Sequence, residues 1–234
     1  MTVGNSDDPT PSETAAAVAW VRISRGELRG LTHALGNRLH SLEMTLGSLA
    51  PGETVTRGMI ETLDVASASC TELVSLFRLL QFADRAQPEA CGLSDIVPFA
   101  VTLLKHHVDG HDAECVVHAV GEPPAVLVPP AAMTQALVSV LVGALPRPDL
   151  SDESNITIEL SGDVDSASIA LSWTPSTRES SSPDDQYSSL DAVRWLLRDA
   201  NATVTRKTES GIVRTLITVP SLAAARRLER SKAK

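Results

Sequence analysis

The stretch GLTHALGNRLHSLEMTLGSL, residues 30–49, carries Leu31, Leu35, Leu39, Leu42, Leu46 and Leu49 at steps of three and four, with His33, Asn37 and His40 between them. With Leu28 ahead of it, the line advances about 3.5 residues per step, the spacing of one apolar seam along an α-helix. Setting Leu35, Leu42 and Leu49 at heptad position d and Leu39 and Leu46 at a puts His33 and His40 at b and Asn37 at f. All three then face solvent, with Arg29 one turn before His33 on the same stripe. Packing does not require them.

Proline is absent from residue 15 to residue 49, so one long helix is expected from about Ala15. Ala50, Pro51, Gly52 and Glu53 break it, and Ile60, Leu63, Ala66, Cys70, Leu73, Phe77 and Leu80 begin a second periodic run. Two helices joined by a short turn are antiparallel neighbours. Such a hairpin cannot bury both of its seams, so it is expected to pair with a second copy as a four-helix bundle or to dock on its own C-terminal domain. Dimerisation is the simpler solution. Residues 1–14, rich in Pro, Gly, Ser, Thr and Asp, read as a disordered leader, and residues 15–87 as the hairpin domain.

Beyond residue 88 the texture changes to α+β. A helix is expected over 93–107 with Ser94 as N-cap, strands at 115–120 and 125–128, and an apolar helix over 130–145. NITIELSG (155–162) and SASIALSW (166–173) alternate as hairpin strands with one wet face. A polar loop, a helix over 188–200 and two last strands around Glu209, Ser210 and Gly211 complete a domain at 88–221, and residues 222–234 read as a frayed basic tail.

The chain of 234 residues is 43% apolar, ample for a core, and its formal charge of -9 argues against sequence-independent binding to nucleic acid or to an anionic membrane. Protein partners are favoured. No basic and apolar leader marks export, and the apolar run at 131–145 is too short to span a bilayer, so a cytoplasmic location is expected. Cys70, Cys91 and Cys115 are odd in number and without CxxC spacing, which suits reduced, buried thiols.

An exposed neutral imidazole can attack an aspartyl phosphate at neutral pH and carry the phosphoryl group as a phosphoramidate. Asn37, one turn on, could hydrogen-bond that group or orient a hydrolytic water. A solvated surface histidine with no role is the bland alternative that spacing alone leaves open.

His33-Ala34-Leu35-Gly36-Asn37-Arg38-Leu39 resembles the H-box of bacterial sensor histidine kinases, and the element order is similar to theirs over about residues 20–220. The resemblance implies a dimerisation and histidine-phosphotransfer hairpin followed by an ATPase-like α/β sandwich of the Bergerat type. The departures redirect it. Gly143 stands where the family's magnesium-binding Asn would fall, Thr174-Pro175-Ser176 replaces the adenine-reading Asp-x-Gly-x-Gly, and the lid TRESSSPDDQYSSL holds no glycine. Ala34 stands where kinases carry an acidic base beside the histidine. The second domain is therefore expected to be a degenerate fold without nucleotide or any cofactor of its own.

What remains is similar to bacterial histidine phosphotransferases, which relay phosphate between receiver domains of response regulators. The resemblance implies His33 and Asn37 as catalytic residues, and Arg29, Gly36, Asn37 and His40 as the docking face for a response-regulator receiver or a hybrid-kinase receiver. That receiver would bring the Mg2+. A regulator phosphatase using Asn37 and a non-catalytic dimeric scaffold are the alternatives.

The run KHHVDGHDAECVVH (105–118) is dense in ligand-type residues but lacks metal-site spacing, so a polar surface turn is expected. Trp20, Trp173 and Trp195 read as packing residues. Gly30 and Gly36 weaken the first helix, which suggests that a partner's loop approaches its backbone there.

Overall fold

A computed structural model describes residues 11–49, 54–81, 87–107, 113–145, 155–175 and 183–232. It is α+β: a helical hairpin, then a mixed five-stranded sheet with helices. The hairpin is α1 (Pro11–Gly47) and α2 (Arg57–Gln81). The helix starts four residues before Ala15, so residues 11–14, expected in the leader, are its first turn: Pro11, with fixed φ and no N–H to satisfy, suits the first helical position. Residues 1–10 and the breakers Ala50 to Glu53 lie outside the described residues.

The rest is β1 (Glu89–Cys91), α3 (Leu93–His106), β2 (Glu114–Ala119), β3 (Val126–Val128), α4 (Pro130–Ala144), β4 (Asn155–Gly162), β5 (Ser166–Trp173), α5 (Pro183–Leu196), β6 (Thr203–Glu209), β7 (Ile212–Pro220) and α6 (Leu222–Lys232). The main sheet runs β2-β4-β5-β7-β6, with β2 parallel to β4 and the other pairs antiparallel. Between β6 and β7 the chain reverses in two residues, Ser210 at φ 53° and Gly211 at φ 78°, the left-handed pair that a tight hairpin turn demands.

Several local details differ from expectation. β3 leaves the main sheet to pair antiparallel with β1, a strand of three residues too short to carry a periodic signal. The N-cap of α3 is Gly92, and Ser94 lies inside the first turn, because a serine gains a cap bond only where the chain is still extended. α5 begins at Pro183, five residues before the expected start. The tail is a docked helix: Ser221 Oγ accepts from Ala224 N at 3.2 Å and donates to Val164 O at 2.8 Å, and Arg227 pairs with Asp165.

Leu103, Leu104, Met133, Leu137, Leu141, Ile156, Ile169 and Leu171 fill the core, and α4 has twelve buried residues, as its lack of any charge allows. The leucine seam divides. Leu31 is fully buried, Leu35, Leu42 and Leu49 are half-buried, and Leu39 and Leu46 are 52% and 54% exposed. Leu28, expected in the seam, is 47% exposed. The reason is tertiary: the first half of α1 turns Ala16, Ala19, Ile23 and Leu31 into the core and packs on α3, α4 and α5. The hairpin thus docks on its own second domain at its base, and the upper a positions are left uncovered.

The close approach is made at two glycines. A Cβ at Gly26 would fall on the His107 ring, and one at Gly30 on the His106 carbonyl oxygen at the end of α3; around Gly36 nothing lies within 4 Å. Gly30 is therefore spent on internal packing rather than on a partner's loop. The two glycines should respond oppositely to alanine. Gly36→Ala is expected to gain about 0.5–1 kcal/mol from helix propensity, whereas Gly30→Ala is expected to lose about 1–3 kcal/mol because backbone must move. Thermal midpoints of the two variants measure the contrast, and a stabilised Gly30→Ala would refute the packing.

Candidate functional site

The site is built on the exposed side of α1 just past the last residue it buries. Leu31 is sealed in the core, and His33 follows two residues later, at the lip where the helix leaves the second domain. Arg29, His33, Gly36, Asn37 and His40 are all exposed, as the heptad placed them. The spacing that buries Leu31 on one side requires this, since residues two and six positions further on point elsewhere around the turn.

Within the stripe, Asn37 Nδ2 and His33 Nε2 are 3.3 Å apart. With the imidazole proton on Nδ1, the carboxamide donates to the Nε2 lone pair and orients the ring. His40 Nδ1 lies 3.9 Å from a Glu43 carboxylate oxygen, an ion pair only when the imidazole is protonated and weak at this exposure. The arrangement offers a nucleophilic nitrogen, a carboxamide one turn above it, and the open backbone of Gly36 between them. Arg29 supplies positive charge one turn before His33.

On the other side of α1, facing α2, a groove of about 310 Å³ is lined by Arg38, Ser41, Gly58, Glu61, Thr62, Val65 and Ala66. At the α3 end, burial pulls the His106 imidazole below its ordinary pKa; Glu72 opposes this and Arg38 adds to it.

In the second domain, Gly143 is exposed near the end of α4, and Thr174 and Pro175 follow β5. Residues 176–182 of the lid lie outside the described residues. So do Asp109, His111 and Asp112 of the histidine-rich run; among the described residues no three His, Cys, Asp or Glu side chains converge on a point. Cys70, Cys91 and Cys115 are free and half-buried rather than fully buried, and burial raises the thiol pKa of Cys91 and Cys115. Among the described residues no helix is long and apolar enough to cross a membrane.

A polar group that sequence reasoning missed sits at the hairpin's base. Glu27 is fully buried, and burial, partly opposed by Gln135 of α4, raises its carboxyl pKa to about 8. Nothing local marks it, because a single Glu on an amphipathic helix reads as a solvated residue until the neighbouring helices are in place. The tryptophans do pack: the Trp20 and Trp195 rings are 5.5 Å apart, and the Arg206 guanidinium lies 5.3 Å over Trp173.

No protein-family model matches the chain, and no curated protein matches it. Among solved structures it is similar to the Acinetobacter baumannii histidine kinase AdeS, at 13% identity over 81% of this chain and 98% of that one, with a TM-score of 0.47. It is similar to histidine kinase ThkA, solved in complex with response regulator protein TrrA, at 11% identity over 92% and 68% of the two chains, with a TM-score of 0.47. A bacterial phosphotransferase matches at 11% identity over 84% and 96%, with a TM-score of 0.42. At that level the likeness is one of arrangement, and it assigns no residue of this chain a role.

The His33–Asn37 contact has a chemical consequence. Removing the carboxamide in Asn37→Ala should expose the Nε2 lone pair and raise the rate of His33 acylation by diethyl pyrocarbonate about two- to threefold, the equivalent of ~0.5 kcal/mol for an exposed hydrogen bond. Mass-spectrometric footprinting reads the rate, with His40 as the internal reference.

Proposed function

We propose that this protein is a histidine phosphotransferase of two-component signalling, which takes a phosphoryl group from a receiver aspartate onto His33 and passes it to another. The carrying observation is the exposed His33 with Asn37 hydrogen-bonded to it on a bundle helix. The H-box resemblance of residues 33–39 and the order of elements behind it support the reading.

In the forward step an imidazole nitrogen of His33 attacks phosphorus, the acyl-phosphate P–O bond breaks, and the receiver's carboxylate leaves; the proton on the other ring nitrogen offsets the charge of the phosphoramidate. Asn37 holds the ring and then donates to a phosphoryl oxygen. Gly36 keeps the backbone open to the receiver's loops, and Arg29 and His40 flank the docking face. The receiver, from a response regulator or a hybrid kinase, brings the Mg2+ that neutralises the phosphoryl oxygens.

The protein runs this reaction without phosphorylating itself from ATP. Ala34 offers no base beside the histidine, and Gly143 and the segment after β5 lack the phosphate- and adenine-binding side chains that the kinase resemblance would require. The active form is a homodimer in which Leu39 and Leu46, left exposed in the single chain, meet their copies across a four-helix bundle. The second reading is a regulator phosphatase, favoured by one feature, the exposed Asn37 carboxamide able to hold a water.

A receiver domain carrying labelled aspartyl phosphate tests the proposal. Label is expected on the wild-type protein, at least a hundredfold less on His33→Ala (roughly 3 kcal/mol of lost catalysis), and only a few-fold less on His40→Ala, which trims the docking face and leaves the accepting imidazole in place. Release of free phosphate without labelled protein establishes the phosphatase, and neither product establishes a scaffold. Gly36→Gln should keep the fold and weaken receiver binding.

A further inference from the structure

The contact between α1 and the second domain carries one polar stripe beside the apolar residues Ala16, Ala19, Ile23 and Leu31. Trp20, Ser24 and Glu27 lie at i, i+4 and i+7 on α1, with Trp20 against Trp195 and Glu27 against Gln135 of α4. Trp20 Nε1, Ser24 Oγ, both Glu27 carboxylate oxygens and both polar atoms of Gln135 are buried without a hydrogen bond that closes to good geometry. Six polar atoms left short of partners, among the described residues, make this stripe a weak point of the interface. A carboxylate is the costliest of them to keep there charged, and the cheapest to neutralise, by one proton.

The geometry points to Glu27 as a proton-operated latch between the hairpin and the second domain, closed while its carboxyl carries a proton and released when it ionises. Closed, α1 is held along Ala16 to Leu31, and His33, two residues beyond, keeps a fixed position at the lip of the second domain. Released, the first half of α1 comes away from α4 and α5, and the face around His33 is free to turn relative to them. The latch does not depend on phosphoryl transfer at His33.

The surroundings of Glu27 assign the titration to it. α4 contains no ionisable residue; α5 brings Arg194, which pairs with Asp191, and just past its end Arg198 stacks over Trp195 at 4.8 Å; α2 turns Leu73, Leu76 and Leu80 inward. The end of α3 contributes His106, whose carbonyl lies against Gly30 and whose imidazole burial holds below its ordinary pKa, and the C-cap His107, whose ring lies against Gly26. Burial raises the carboxyl of Glu27 from an ordinary value of 4.5 to about 8. A raised carboxyl pKa means that the docked state binds the proton more tightly. Docking is therefore fully stabilised below pH 4.5, weakens as pH rises toward 8, and loses no more above that.

Amide hydrogen exchange along residues 16–31, corrected for the intrinsic pH dependence of exchange, reads the opening constant. In the full-length protein it should rise by up to about a hundredfold between pH 5.5 and 7.5, at most tenfold per pH unit, with parallel loss of the Trp20–Trp195 near-ultraviolet exciton signal in a Trp173→Phe background. Glu27→Gln keeps the shape and cannot ionise, so it should stay docked with a flat profile. An unchanged slope in Glu27→Gln, a flat wild-type profile, or a slope removed by His107→Gln instead would overturn the latch. Carbon-13 titration of the wild-type Glu27 carboxyl needs no variant, and a midpoint near the ordinary carboxylate value would overturn it as well.

Discussion

The close crossing of α1 over the second domain is the constraint on which the rest depends. One helix serves two partners: its first half lies on α3, α4 and α5, and its second half lies along α2. Glycine makes the first contact feasible, because Gly26 and Gly30 let the helix settle on His107 and on the last carbonyl of α3 where any Cβ would collide. The loss of helix propensity at these two positions, about 1 kcal/mol each, is offset by burial of Ile23 and Leu31 and by closure over α4. An apolar helix of fifteen residues such as α4 needs a cover on every side, and α1 supplies one of them.

From that crossing the exposed features follow. The helix that ends its buried stretch at Leu31 must emerge into solvent within a turn, so His33, Asn37 and His40 project from a segment anchored at its base and free along its upper face. The carboxamide of Asn37 adds a local restraint on the ring, and the open backbone at Gly36 leaves room beside it. The same crossing buries Glu27 against Gln135, so the rigid support of the site carries a polar flaw at its centre. Stability of the support and exposure of the site are two consequences of one packing geometry.

Much of this was legible in the residues. The step of three and four in the leucines, the proline-free run, and the switch to alternation at 155–173 gave the helices, the hairpin strands and their order, since those signals come from periods of 3.6 and 2 that need no distant partner. The positions of His33, Asn37 and His40 on the wet face came from the same period. What was missed is short or non-local: β1 has three residues, the Gly92 cap depends on backbone direction, and the docking of α6 depends on Ser221 and Asp165 meeting across the chain.

Periodicity by itself thus determined which segments are helices and strands, and which polar residues on α1 could be reached by a partner. Tertiary structure alone decided how the leucine seam is shared, why Leu31 is buried while Leu28 is not, and that Glu27 lies in the dark beside Gln135. The reason is physical: a repeat defines the faces of a helix, but which face meets which neighbour depends on the crossing geometry, and Gly26 and Gly30, far along the chain from the His107 and His106 they touch at the end of α3, set that crossing only after the chain has folded.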